Sequence, residues 1–261
     1  MGNQNHKLFF LVALPRSGNT LLASLLNQNP DIAATANSMT LEIMKYLFLL
    51  KQTDVFKNYP DHKSLDNVLN SVFDNYYKDW PQKIIIDRGP VMTPNNLDLI
   101  QKYFGKRFKV IVLVRDLIDV LASFVKWFEN EPTAYVNKYG KKTIEEKLWM
   151  LMNKDGTIAK ELLAIQNSFN YKDMCHYIKY DDLVKNPKQT FIDLYQFLDE
   201  PLYDHQFLNL KQFNLNGMSY DDTELGKNLH MIKTTEIKKE FNPYKDMIPQ
   251  SIIDEYGHIK F

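Results

Sequence analysis

The run Leu8–Leu14 (LFFLVAL) is apolar from end to end, with no polar residue alternating into it. Both faces of such a segment must be covered, which is the situation of a strand inside a parallel sheet. It runs into Pro15-Arg16-Ser17-Gly18, after which Leu21, Leu22, Leu25 and Leu26 recur at helical spacing until Asn29-Pro30 ends the run. The unit is strand, loop, helix.

The same unit recurs. Ile84–Ile86 is a second continuous apolar run ending in Asp87-Arg88, and Thr93-Pro94 supplies an N-cap and first residue for a helix over Pro94–Phe104, closed by Gly105. Val110–Val114 predicts another buried strand. Asp116 can cap the helix after it, which carries Leu117, Val120, Leu121, Phe124, Val125 and Phe128 on one side. His176–Lys179 predicts a later strand, and Asn186-Pro187 opens a helix bearing Phe191, Leu194, Tyr195 and Leu198. Strands alternating with helices predict an α/β fold, an open parallel sheet flanked by helices. Met39–Lys51 and Thr143–Phe169 read as helices over the ligand edge of the sheet, the second opening with Thr143 and Glu146 at capping-box spacing. Asn214–Lys233 reads as loop. No repeat or linker divides the chain, so one domain over residues 1–261 is expected.

Composition narrows the function classes. A chain of 261 residues with 44% hydrophobic content can bury a large core. Its 32 basic residues balance 32 acidic ones, so no global positive field draws it to nucleic acid or an anionic membrane, and any anion site must be local. Cys175 alone allows no intrachain disulfide and no structural zinc, which fits a reducing compartment. Leu8–Leu14 is too short for a signal peptide or a membrane span, so a cytoplasmic location is expected.

The loop Leu14–Thr20 is built to hold an anion. A buried strand turns through small residues into a helix whose first amides are unpaired and whose dipole favours negative charge. Gly18 lets the backbone approach the ligand, Ser17, Asn19 and Thr20 add side-chain donors, and Arg16 adds a permanent charge. An ordinary tight turn with a solvated arginine is the alternative. In a nucleoside-triphosphate P-loop, lysine stands where this chain has Asn19 and glycine where it has Ala13. Triphosphate chemistry loses its main cation, and a shorter anion without magnesium is expected.

A second anion site lies at Arg115, which ends Val110–Val114, with Ser123 two helical turns on. Both strands deliver their carboxyl ends to one edge of the sheet, where open α/β folds bind ligands. Two such sites suit a nucleotide phosphorylated at two positions. Pairing of Arg115 with Asp116 or Asp119 is the competing reading.

On these motifs the chain resembles the sulfotransferases that use 3′-phosphoadenosine 5′-phosphosulfate (PAPS). Leu14-Pro15-Arg16-Ser17-Gly18-Asn19-Thr20 is similar to that family's 5′-phosphosulfate loop, with Leu21 directly after it. Val114-Arg115-Asp116 through Ser123 is similar to its 3′-phosphate motif. Tyr180-Asp181-Asp182 through Pro187 is similar to the stretch whose tyrosine helps hold the donor. The spelling of the first loop is nearest the tyrosylprotein and carbohydrate branches. The resemblance implies a P-loop-like three-layer α/β/α fold and transfer of a sulfuryl group to an acceptor. That acceptor is a small molecule, carbohydrate or peptide bearing a hydroxyl. Adenosine 3′,5′-bisphosphate is the implied product, with no metal required. Relatives carry a lysine near the transferring group where this chain has Arg88, and close the donor site with a basic C-terminal loop, here assigned to Lys233 from a stretch that also holds Lys227 and His230.

Growing negative charge on the leaving phosphate calls for fixed cations, assigned to Arg16, the Gly18–Thr20 amides and Arg88. A hydroxyl acceptor also calls for a general base. The acidic residue that the tyrosylprotein and heparan branches carry after the first helix is missing from Ala34-Thr35-Ala36-Asn37-Ser38. Glu42, one turn on, is the candidate, with His62 second. Two other functions stay open: a nucleotide-dependent kinase on a degenerate P-loop with Asp87 on magnesium, and a binding module that has lost its chemistry.

Overall fold

A computed structural model describes residues 6–140, 142–227, 229–232, 236–238 and 242–261. Five strands, β1 (Lys7–Ala13), β2 (Ile32–Ala34), β3 (Ile84–Arg88), β4 (Val110–Val114) and β5 (Cys175–Lys179), form one sheet in the order β2-β3-β1-β4-β5. All four pairings are parallel. Parallel neighbours need crossovers, and helices supply them. The helix α1 (Asn19–Leu26) leaves β1 for the β2 side, whereas Pro94–Tyr103 carries the chain from β3 across to β4. The chain therefore departs in opposite directions on either side of β1, and the crevice at that reversal lies at the carboxyl ends of β1 and β4.

The apolar run behaves as its composition requires. Phe10 through Leu14 have no exposed surface. Phe10 meets the rings of Phe73, Phe104 and Phe108 edge-on at 5.5, 5.7 and 5.1 Å. Offset and edge contacts of this kind add about 0.5–1.5 kcal/mol each beyond area burial, so Phe10 anchors one face of the central strand.

Several boundaries move. Asp87 and Arg88 lie within β3 rather than after it, so the parallel ladder fixes both backbones. The helix expected over Thr143–Phe169 is two, Ile144–Met152 and Thr157–Ser168. Asn153 leaves the helical region at φ −65°, ψ 161°, and the second helix starts afresh after Gly156. The capping box at the start of Ile144–Met152 forms as the spacing predicts, with Thr143 Oγ1 accepting from Glu146 N and Glu146 accepting from Thr143 N. Met39–Lys51 becomes α2 (Thr40–Leu49) plus a 3₁₀ turn over Leu50–Gln52. The edge strand β2 and the short helices between Asp54 and Tyr76 have no counterpart in the sequence reading. After Leu198 the described chain is irregular until Pro243–Met247 and Gln250–Tyr256.

Candidate active site

The parallel register places Ala13, Arg88, Val114 and Lys179 at one rim of the sheet. The end of β3 and residues that follow β1, β4 and β5 meet there. Arg16, Gly18, Asn19, Thr20, Leu21 and Pro15 from the first loop line one cavity of about 540 Å³ together with Arg88, Arg115, Ser123 and Tyr180.

The first loop is wound around one acceptor. The carbonyl oxygen of Leu14 receives Ser17 N at 3.2 Å, Ser17 Oγ at 2.6 Å and Asn19 Nδ2 at 3.2 Å. Arg16 takes a left-handed conformation at φ 66° and Gly18 another at φ 103°. A β-carbon on Gly18 would lie 2.8 Å from the Tyr180 ring, so glycine there serves both the turn and the close approach of the tyrosine. The first α-helical bond is Leu22 N to Gly18 O at 2.9 Å. The amides just before it have no helical acceptor, which leaves them for an anion. Ser17 departs from expectation: its fully buried hydroxyl is spent on Leu14 O and Asn19 Oδ1. It shapes the loop and does not face the cavity.

Arg115 and Arg16 form one cationic cluster. Arg115 Nη1 donates to Arg16 O at 3.0 Å, and its guanidinium lies 4.3 Å from the centre of the Tyr180 ring. Arg16 Nε donates to Ser123 Oγ at 3.2 Å, so its side chain reaches the residues read from sequence as the second anion site. Burial, and then the like charge of Arg115, push Arg16 down to about 10, with Asp222 opposing. It stays charged at neutral pH. Arg115 Nε is buried with no hydrogen-bond partner among the described residues. Two guanidinium groups crowded at one cavity wall fit a phosphate. The competing partners of Arg115 are engaged elsewhere: Asp116 caps Asp119 N and pairs with Lys260, and Asp119 pairs with Lys245.

Arg88 reaches the cavity from the end of β3. Its Nη2 donates to Ala13 O and pairs with Glu161 Oε1, each at 2.8 Å, and Nη1 approaches Asn37 Oδ1 at 3.4 Å. Thr35 Oγ1 accepts from its backbone N–H at 2.8 Å. Glu161 was missed in the sequence, although the signal exists: it sits three residues after Ile158 and four before Ile165, on the buried stripe of Thr157–Ser168. Burial pushes its carboxyl up to about 7, opposed by Arg88.

The remaining candidates lie elsewhere. Glu42 is close to half exposed, pairs with Lys45 at 3.6 Å and is not among the cavity-lining residues. The one-turn step from Ser38 puts it on the outward side of α2, which corrects the sequence assignment. His62 packs on Phe56 in the helical stretch after α2 and does not line the cavity. Lys233 lies outside the described residues. Asp87 is fully buried, and its Oδ2 receives the hydroxyls of Ser38, Thr40 and Tyr77. Held among neutral donors, with burial raising its pKa, it faces away from the role of a magnesium ligand.

Comparison with known proteins agrees with this geometry. The family model described as the sulfotransferase family matches residues 9–205, well over half of the chain. A Caenorhabditis briggsae protein, provisionally named a protein-tyrosine sulfotransferase, is 22% identical over 239 residues, 86% of this chain and 78% of its own. Among solved structures, the sulfotransferase domain from the curacin biosynthetic pathway matches with TM-score 0.55 and 20% identity, over 100% of this chain and 93% of that one. A sulfotransferase from Alicyclobacillus acidocaldarius matches with TM-score 0.51 and 13% identity, over 78% and 84%. At these identities the structural likeness speaks for the fold. Among the described residues no helix is long and apolar enough to cross a membrane.

Proposed function

Given that this chain belongs to the sulfotransferase family and so transfers sulfuryl groups, we propose that its donor is PAPS, bound across the cavity at the carboxyl ends of β1 and β4. The observation that carries the reading is the contact of Arg115 with the main chain of Arg16, which brings two phosphate-grade sites into one space. The free amides at the start of α1 suit the 5′-phosphosulfate. Arg115 and Ser123 suit the 3′-phosphate, and Arg16, which bonds to both, serves the 5′ end. Phe124, Trp127 and Leu225 along the same cavity give apolar walls for a purine.

In the transfer, an acceptor hydroxyl attacks sulfur in line while the bond from sulfur to the 5′-phosphate oxygen breaks, and that oxygen gathers negative charge. The α1 amides and the Arg16 charge stabilise it without reorganising. Arg88, locked by Ala13 O and Glu161, presents its remaining edge to the sulfuryl oxygens. Neutralisation by fixed arginines and amides requires no metal. The whole of residues 1–261 acts as one domain in a cytoplasmic setting. The acceptor is a small molecule, sugar or peptide hydroxyl.

Thermal melting tests the donor. Adenosine 3′,5′-bisphosphate in the presence of a chelator should raise Tm in a concentration-dependent way, and ATP with magnesium should do much less. Equal shifts with both would favour a kinase-like site. A panel of phenols, sugars and tyrosine peptides then reads transfer from PAPS, and turnover separates an enzyme from a silent binding module.

A further inference from the structure

The loop after Leu215 brings a histidine to the cavity wall, backed by a carboxylate, where Glu42 and His62 do not reach. His230 lines the cavity. Its Nδ1 lies 2.6 Å from Asp222 Oδ1, and its backbone N–H donates to Asp222 Oδ2 at 2.8 Å. Asp222 thus grips the residue at two points, and in the neutral ring its carboxylate, which can only accept, puts the proton on Nδ1 and leaves the lone pair on Nε2. Nε2 has no hydrogen-bond partner among the described residues, and the side chain keeps 17% of its surface exposed.

Two further contacts set where the ring stands. It stacks on Tyr220 with centroids 4.4 Å apart and planes 22° apart. The Tyr220 hydroxyl accepts from Ala36 N and Asn37 N at 2.9 and 3.1 Å and donates to Asn37 O at 3.0 Å. Asn37 is also the residue whose side chain meets Arg88. The histidine is therefore tied, through one tyrosine, to the segment that flanks the sulfuryl-binding arginine. The loop itself is pinned: Tyr135 N donates to Leu225 O at 3.2 Å, and a β-carbon on Gly226 (φ 100°) would meet Ala134 at 2.6 Å and Trp127 at 2.8 Å.

We propose that, in the sulfuryl transfer argued above and resting on it, His230 Nε2 is the general base that takes the proton of the acceptor hydroxyl, with Asp222 as its orienting partner. As the acceptor oxygen bonds to sulfur, its proton passes to Nε2 and the bridging electron pair leaves with the 5′-phosphate. The imidazolium so formed is stabilised by Asp222 and returns its proton to solvent after product release. A histidine oriented by a half-buried carboxylate is an arrangement suited to general-base catalysis. The dyad stands in for the acidic residue missing from Ala34–Ser38.

The test uses the full chain and its His230→Gln, His230→Ala and Asp222→Asn variants. Calorimetry measures adenosine 3′,5′-bisphosphate affinity. Transfer from PAPS is measured to 4-nitrophenol and to the best less acidic hydroxyl of the panel, with water as acceptor where the panel yields none. His230→Gln should lower transfer to the less acidic acceptor by roughly 100-fold, with bisphosphate affinity within about twofold of wild type. The loss should be smaller for 4-nitrophenol, whose hydroxyl needs less help, and Asp222→Asn should fall between. Free imidazole should restore part of the His230→Ala rate. Transfer by His230→Gln within about threefold of wild type for both acceptors overturns the proposal, as does a loss that tracks bisphosphate affinity, which marks a loop staple. Failure of the wild type to bind bisphosphate would count against the donor assignment instead.

Discussion

Arg115 Nη1 donates to the main-chain oxygen of Arg16 at 3.0 Å. The guanidinium on the second strand end therefore props the loop on the first, and anything that binds one is felt by the other. Arg115→Ala should weaken adenosine 3′,5′-bisphosphate by roughly 10- to 100-fold, the loss of a charge-assisted contact, with a smaller effect on the rate at saturating donor. Arg16→Ala should lower that rate by 100-fold or more, in the range for removing an oxyanion-type donor. Calorimetry and turnover, run on both variants, check the division. Equal losses in both readouts for both variants would show that the cluster acts as a unit.

Gly18 carries two constraints at once, φ 103° and a tyrosine ring 2.8 Å from where a β-carbon would stand. Gly18→Ala should destabilise the fold by about 1–2 kcal/mol for the left-handed backbone, and should also push Tyr180 off Arg115. Bisphosphate affinity should then drop at least tenfold. Denaturant melts separate the two effects. An alanine variant that binds the bisphosphate as tightly as wild type would mean that the Tyr180 contact has no part in the donor site.

The sequence was legible where local chemistry decides the outcome. Strand β4 was read to its last residue because apolar runs buried on both faces have no other home, and the Thr143–Glu146 capping box follows from spacing alone. Arg16, Arg115, Ser123 and Tyr180, which line one cavity, were legible as neighbours because each lies just past a strand end or on the helix behind one. Glu161 and Tyr220 escaped because their roles are long-range, and Asp222 because no periodicity in its irregular loop marks the contact with His230 eight residues on. Glu161 meets a partner 73 residues away in the chain (161 − 88), and Tyr220 meets Asn37 across 183 positions. Glu42 is the converse case: helical spacing from Ser38 does not say which face of α2 the core claims. Ser17, a small polar residue in a loop, faces inward because Leu14 O needed donors.

Glu161 makes stability depend on pH. Burial raises its carboxyl from the ordinary 4.5 to about 7, so the folded state holds a proton that the unfolded chain has lost between those values. Stability from this group therefore falls as pH rises from about 4.5 to about 7, by up to about 3 kcal/mol. Glu161→Gln, neutral throughout, should match wild type near pH 4.5 and melt higher above pH 7. Parallel Tm curves for the two proteins would show that Arg88 cancels the cost of burying the charge.

Arg88 is the residue for which charge and shape separate. Its guanidinium spans Ala13 O, Glu161 Oε1 and Asn37 Oδ1, three acceptors that a single ammonium cannot reach together. It is also remote from the Arg16–Arg115–Ser123 cluster in its bonding. Arg88→Lys should thus keep bisphosphate affinity within about twofold while lowering the transfer rate by roughly 10- to 100-fold. Because Glu161 holds Arg88 directly, the double variant Arg88→Lys/Glu161→Gln should be slower than wild type by much less than the product of the single losses, a coupling read by a double-mutant cycle. Additive losses would place Glu161 in the core alone and leave Arg88 to be positioned by the ends of β1 and β3.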